Sequence, residues 1–298
     1  MAIRCTLMIL LVLQAFAGVA LAQSAPRPSP VDRFAMVGSL RIHYVDWGNA
    51  SAQPLVMVHG LDRVARTFDH VAPHFATRYH VIALDMRGHG DSSWDPEGRY
   101  TVEDHATDLA GVVSALGLRN IVLWGNSTGG RVVQVFAGQH PELVSHVIAE
   151  DVGPERPRQI ADNYSRRVAQ EEAGWSSEDE LLAQLRKTNA GTTDAVLVPY
   201  VRYGTKRRDD GRLVWKRDPQ LVKGFVATDL WRFVREIKAP TLYVIGGRST
   251  IVPKDTQDEL KKTLPRVTIV TMPGLGHYPS DEKPEEFLAI VDDFLKKP

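Results

Sequence analysis

Apolar residues along this chain fall in short continuous blocks, separated by glycine-rich turns and by longer stretches of helical periodicity. The blocks at 56–58, 79–84, 120–124, 145–149 and 267–272 read as buried strands, and residues 130–139 read as a helix. Alternation of such blocks with helical stretches predicts one large α/β domain. Between 154 and 235 the strand rhythm stops. That segment is rich in charge, has helical stretches at 159–173 and 177–187, and then carries Tyr200, Tyr203, Trp215, Phe225 and Trp231. The pattern divides the chain into a core made of residues 34–153 and 236–298 and an insertion at 154–235.

The N-terminus follows a different rule. Residues 1–22 carry one basic residue, Arg4, an apolar stretch at 7–20, and small residues at Ala20 and Ala22, followed by a polar, proline-rich linker at 23–33. This is the layout of a secretory signal peptide cleaved after Ala22, and it predicts a periplasmic or secreted mature protein with no stable membrane insertion. Cys5, the single cysteine, lies inside that segment, so the mature chain is expected to contain no disulfide. The 298 residues are 43% hydrophobic and 24% charged, enough for a sizeable core. With 36 basic against 36 acidic residues the chain gives no reason to expect a nucleic-acid or anionic-membrane partner.

Candidate chemistry sits at the ends of the strand blocks. Gly125-Asn126-Ser127-Thr128-Gly129 lies directly between a strand block and a helix, the context in which G-x-S-x-G is a nucleophile elbow. The tight turn exposes the serine hydroxyl above the sheet, and only small neighbours fit beside it. Val58-His59-Gly60-Leu61 ends an upstream strand block. Its loop can aim the Leu61 N–H at the same point as the Thr128 N–H, forming an oxyanion hole. Asp85-Met86-Arg87-Gly88-His89-Gly90 forms a further glycine-rich loop at the same edge. After the last strand block, Gly276-His277-Tyr278 places a histidine where a general base is needed.

These segments, in this order and spacing, resemble the α/β-hydrolase superfamily, in its branch of lid-bearing esterases, lactonases and related serine hydrolases. The resemblance runs from about residue 34 to the C-terminus and is weakest at 156–235. It implies a mostly parallel eight-stranded sheet with helices on both faces, the nucleophile after the fifth strand and the histidine after the last. It also implies that 154–235 is a helical lid over the pocket, whose aromatics, Trp215 and Trp231 among them, would line a substrate site together with Gly60 and Asn126.

An imidazole that takes a proton from serine needs an acid to hold its tautomer and balance its charge. Many members of the superfamily carry it in the turn occupied here by Gly247-Arg248-Ser249-Thr250, and Ser249 cannot supply a negative charge. The other position used in the superfamily is the end of the strand after the nucleophile helix, here Glu150-Asp151. The acid is assigned to Asp151, with Glu150 as local rival, because consecutive strand residues face opposite ways; Asp255 is a third choice, and a purely structural Asp151 capping the following turn stays open. His59 and His89 are expected to shape the oxyanion loop by hydrogen bonding. No histidine pair has metal-site spacing and no phosphate-binding glycine motif is present, so neither a metal nor a nucleotide cofactor is expected.

The expected activity is hydrolysis of a small-molecule carboxylic ester or lactone through an acyl-enzyme. The same triad also serves carbon–carbon bond and thioester hydrolysis. A ligand-binding protein with a vestigial triad is the alternative outside enzymology, kept open by Ser249.

Overall fold

The computed structural model describes residues 29–296, apart from the side chains of 161, 165, 169 and 170. The segment expected to be a signal peptide and the cysteine within it lie outside the described residues. Eight strands build the central sheet: β1 (Val31–Val37), β2 (Leu40–Asp46), β3 (Pro54–Val58), β4 (His80–Leu84), β5 (Ile121–Asn126), β6 (Val144–Glu150), β7 (Thr241–Gly246) and β8 (Val267–Met272). They lie in the order β1-β2-β4-β3-β5-β6-β7-β8. β2 is antiparallel to both β1 and β4, and every other neighbouring pair is parallel.

Both faces of the sheet are covered, which explains the continuous apolar blocks. Val56, Val58, Ile121 and Leu123 pack into one core with helices α1 (Val102–Ala115), α2 (Thr128–Gln139) and α6 (Lys254–Thr263). The residues between them, Leu55, Met57, Val122 and Trp124, enter a second core with Phe68, Phe75 and α7 (Pro284–Leu295). β1 begins at Val31, so the expected start of the core at 34 falls inside a strand. Its first residues are tied by the β2 ladder and by the Arg33 to Asp46 ion pair at 3.0 Å.

Between β6 and β7 the chain forms α3 (Arg158–Glu171), α4 (Glu178–Thr188) and α5 (Asp194–Gly204). Two short ribbons accompany them, pairing Glu155–Arg156 with Thr228–Asp229 and Thr205–Arg207 with Leu213–Trp215. Trp175, Leu181, Leu185, Leu197, Tyr200 and Leu213 give α4 and α5 a small core of their own. α5 is a helix the periodicity did not announce; it holds Pro199 in its interior.

Candidate active site

Ser127 stands between β5 and α2 with φ 51° and ψ −117°, a left-handed conformation that costs a non-glycine residue of order 1–3 kcal/mol. The packing explains how the turn is held. A Cβ on Gly125 would fall 2.3 Å from the Gly129 carbonyl oxygen, and one on Gly129 would fall 2.1 Å from that of Val58. β3, the turn and α2 therefore meet at backbone distance. The Ser127 N–H donates to the Glu150 carbonyl at 3.0 Å, fastening the turn to β6.

His277 links the serine to Asp151. Its Nε2 lies 3.0 Å from Ser127 Oγ and its Nδ1 lies 2.6 Å from Asp151 Oδ2. The carboxylate accepts two further hydrogen bonds, from the Gly246 N–H to Oδ1 at 3.0 Å and from the Ser249 hydroxyl to Oδ2 at 2.6 Å. The serine in the superfamily's usual acid turn thus donates a hydrogen bond to the carboxylate that directly follows β6. A carboxylate accepting from His277 fixes the proton on Nδ1 and leaves the Nε2 lone pair facing the serine.

Glu150, the last residue of β6, points the other way, and Asp151 follows it outside the strand with φ 45°. The Glu150 carboxylate accepts from Trp124 Nε1 at 3.1 Å and from the Ser280 N–H at 2.8 Å. Burial and the neighbouring Asp281 raise its pKa to about 7 against those two donors. Asp255 sits exposed in the first turn of α6.

The loop after β3 is locked by two buried histidines. His59 donates from Nδ1 to the Gly60 carbonyl at 2.7 Å and accepts the Met86 N–H on Nε2 at 3.1 Å, which sets its tautomer. His89 holds the Leu61 carbonyl through Nε2 at 3.0 Å. Burial, and then the adjacent His59, push the His89 pKa down to about 3, so it stays neutral. With both carbonyls engaged, the loop's orientation over the elbow is fixed: a Cβ on Gly60 would meet Ser127 Cβ at 3.2 Å and Asn126 Oδ1 at 2.6 Å.

Two cavities meet at this point and share Asp62, Arg167, His277 and Tyr278. One, of about 400 Å³, is lined by Ser127, Leu61 and Thr128 together with Arg131, Arg156, Tyr164 and Phe225. The other, of about 530 Å³, is lined by Arg63, Glu171, Tyr200, Trp215 and Arg217. Trp215 therefore lines the neighbouring cavity. Trp231 lines neither: its indole packs in the core and donates from Nε1 to Glu155 Oε1 at 2.8 Å. The periodicity gave no sign that Arg131 and Arg156 would join the site, although an arginine amid the small and branched residues of α2 was a visible anomaly.

The chain belongs to the α/β-hydrolase fold family, whose model matches residues 53–284. It is 28% identical over 91% of its length to a 3-hydroxybutyrate-oligomer hydrolase of Cupriavidus necator, covering 98% of that protein. It is 27% identical over 83% of its length to an sn-1-specific diacylglycerol lipase of Mus musculus, covering 82% of it. Among solved structures it superposes on an E-2-(acetamidomethylene)succinate hydrolase with TM-score 0.83 and 24% identity, over 90% of this chain and 100% of that one. The protein is thus a hydrolase of the α/β family with esterase- and lipase-like relatives.

Proposed function

We propose that the protein is an exported serine hydrolase that cleaves a carboxylic ester or lactone, with Ser127 as nucleophile, His277 as base and Asp151 as acid. The observation that carries this reading is the unbroken hydrogen-bonded chain from Asp151 through His277 to a serine on a strained elbow. In the first half-reaction Ser127 Oγ attacks the carbonyl carbon while its proton passes to His277 Nε2. The oxyanion is held by the N–H groups of Leu61 and Thr128. Collapse expels the alcohol, which takes the proton from His277, and water repeats the sequence on the acyl-enzyme to release the acid and free Ser127. Segment 154–235 serves as the lid, and residues 1–22 direct export.

Relatives named as a lipase and an oligomer hydrolase support an ester substrate. Carbon–carbon bond and thioester cleavage use the same machinery and form the second reading. A binding protein with an idle triad has less in its favour, since Asp151 fills the role that Ser249 cannot.

The test is hydrolysis of p-nitrophenyl acetate and butyrate by wild type, Ser127→Ala and Asp151→Asn. Turnover should fall by about four orders of magnitude or more in Ser127→Ala and by about as much in Asp151→Asn. Wild type as inert as Ser127→Ala, while still binding small ligands, would overturn the assignment.

A further inference from the structure

Two arginines in the Ser127 cavity face no opposite charge. Arg131 lies one turn into α2 and is 4% exposed; Arg156 follows β6 and is 2% exposed. Arg131 donates from Nη2 to the Glu155 carbonyl at 2.6 Å. Arg156 donates from Nη1 to the Val226 carbonyl at 3.3 Å and from Nη2 to the Thr128 hydroxyl at 3.4 Å. All three acceptors are neutral. The Nε of each arginine is buried with no acceptor, and among the described residues no carboxylate forms an ion pair with either. Burial lowers the pKa of both groups, that of Arg156 to about 10, and Arg156 lowers that of Arg131 further.

Burying a guanidinium without a counter-charge is among the costlier arrangements in a protein. Two of them, side by side in the wall of a cavity that also holds the nucleophile, make sense if an anion arrives with the ligand. We propose that Arg131 and Arg156 form a carboxylate subsite, and that the substrate of Ser127 is an ester carrying a free carboxylate on its acyl side. The proposal rests on the hydrolase reading above and deepens it.

The donor set favours a planar carboxylate. Each guanidinium keeps Nη–H donors that no acceptor among the described residues takes, and a pair of them matches the two oxygens of a carboxylate in plane. Phe225 lies across Arg156 with 3.9 Å from guanidinium carbon to ring centroid, which closes one face and leaves the edge for binding. The Arg156 contact to Thr128 puts this subsite one residue from Ser127, so a short carbon spacer separates the two ends of the ligand. Ile160, Tyr164 and Ile251 supply the apolar lining for that spacer.

The experiment compares p-nitrophenyl hemiglutarate with its neutral counterpart, p-nitrophenyl methyl glutarate, on the full chain and on Arg131→Gln and Arg156→Gln. The readout is the ratio of kcat/KM for the two esters, which cancels any loss of folded protein. Wild type should prefer the acid by at least about tenfold, and each variant should cut that preference about tenfold. A ratio near one in wild type, or variants that slow both esters in parallel, would overturn the subsite. Glutarate binding to Ser127→Ala, measured by calorimetry with and without Arg156→Gln, is independent of turnover. Arginine-dependent glutarate binding with no ester hydrolysis would leave the subsite standing and sink the hydrolase reading. Hydrolysis with no glutarate binding and no charge preference would do the reverse. Inorganic phosphate binding as tightly as glutarate would overturn the carboxylate assignment.

Discussion

The two cavity walls that meet at His277 and Tyr278 both carry buried arginines, and they balance them in opposite ways. On the wall shared with α3 and α5, every guanidinium has a carboxylate. Arg217 pairs with Asp62 at 2.7 Å and also with Glu171, Arg167 pairs with Asp62 at 2.6 Å, and Arg63 pairs with Asp281 at 3.1 Å. On the wall beside Ser127, Arg131 and Arg156 have only neutral acceptors. Charges balanced by the protein's own residues hold structure together. Charges left unbalanced are available to a ligand, and the folded state bears the cost until the ligand arrives. The same residue type therefore marks a clasp on one wall and a binding site on the other.

The sharpest way to break this contrast is to unbalance the clasp. Asp62→Asn takes one of two shared carboxylates from the buried Arg217 and the half-exposed Arg167, leaving Glu171 to balance both, and should cost about 2 kcal/mol in urea unfolding. A pH series sharpens the point. Burial alone would raise the Asp62 pKa, but Arg167 and Arg217 outweigh it and hold the carboxyl at about 2. Asp62 thus binds a proton less readily when folded than when unfolded. Its contribution is fully present above about pH 4 and is lost as pH falls toward 2, by about 2 kcal/mol. The stability gap between wild type and Asp62→Asn should narrow over that window; a gap that stays constant would mean Asp62 is not the counter-charge.

The complementary change removes a charge from the other wall. Arg131→Met takes away a desolvated cation at the loss of one hydrogen bond to the Glu155 carbonyl. Unfolding should show stability unchanged or higher by about 1 kcal/mol, the opposite sign from Asp62→Asn. A loss of more than about 1 kcal/mol would show that Arg131 is balanced within the fold after all.

How much of this was legible beforehand follows from what each part needs. Strands covered on both faces are apolar over most of their length, so β3 to β6 and β8 stood out as blocks. The elbow was legible because its close backbone contacts exclude side chains at Gly125 and Gly129. β1 carries mostly exposed residues, and no apolar block marked its start at Val31. α5 was hidden by Pro199, which gives up a helix hydrogen bond that packing against Val64 and α4 compensates. Trp231 looked like a pocket residue and is a core residue, because composition does not say which way a side chain faces. Pairing of charges is a tertiary property. The local sequence around Arg131 and Arg167 cannot show that one meets a carboxylate and the other does not.

Asp151 extends the comparison to a buried negative charge, and here the balance comes from neutral donors. Among the described residues no arginine reaches it; the Ser249 hydroxyl, the Gly246 N–H and His277 do. The Ser249 hydroxyl shares Oδ2 with His277 Nδ1, so it fixes the direction in which the carboxylate presents that oxygen to the imidazole. Ser249 is a positioning residue in this reading, acting on the reaction through Asp151 and His277 without touching substrate. Ser249→Ala leaves the Gly246 contact and the charge in place, so the loss should be modest. Turnover of p-nitrophenyl butyrate should drop about tenfold, as for loss of one hydrogen bond to a charged group, with the effect in kcat and KM little changed. Ser249→Thr keeps a hydroxyl and should recover most of that rate. A change confined to KM would instead make Ser249 part of the pocket, and Asp151 would then be held well enough by the backbone alone.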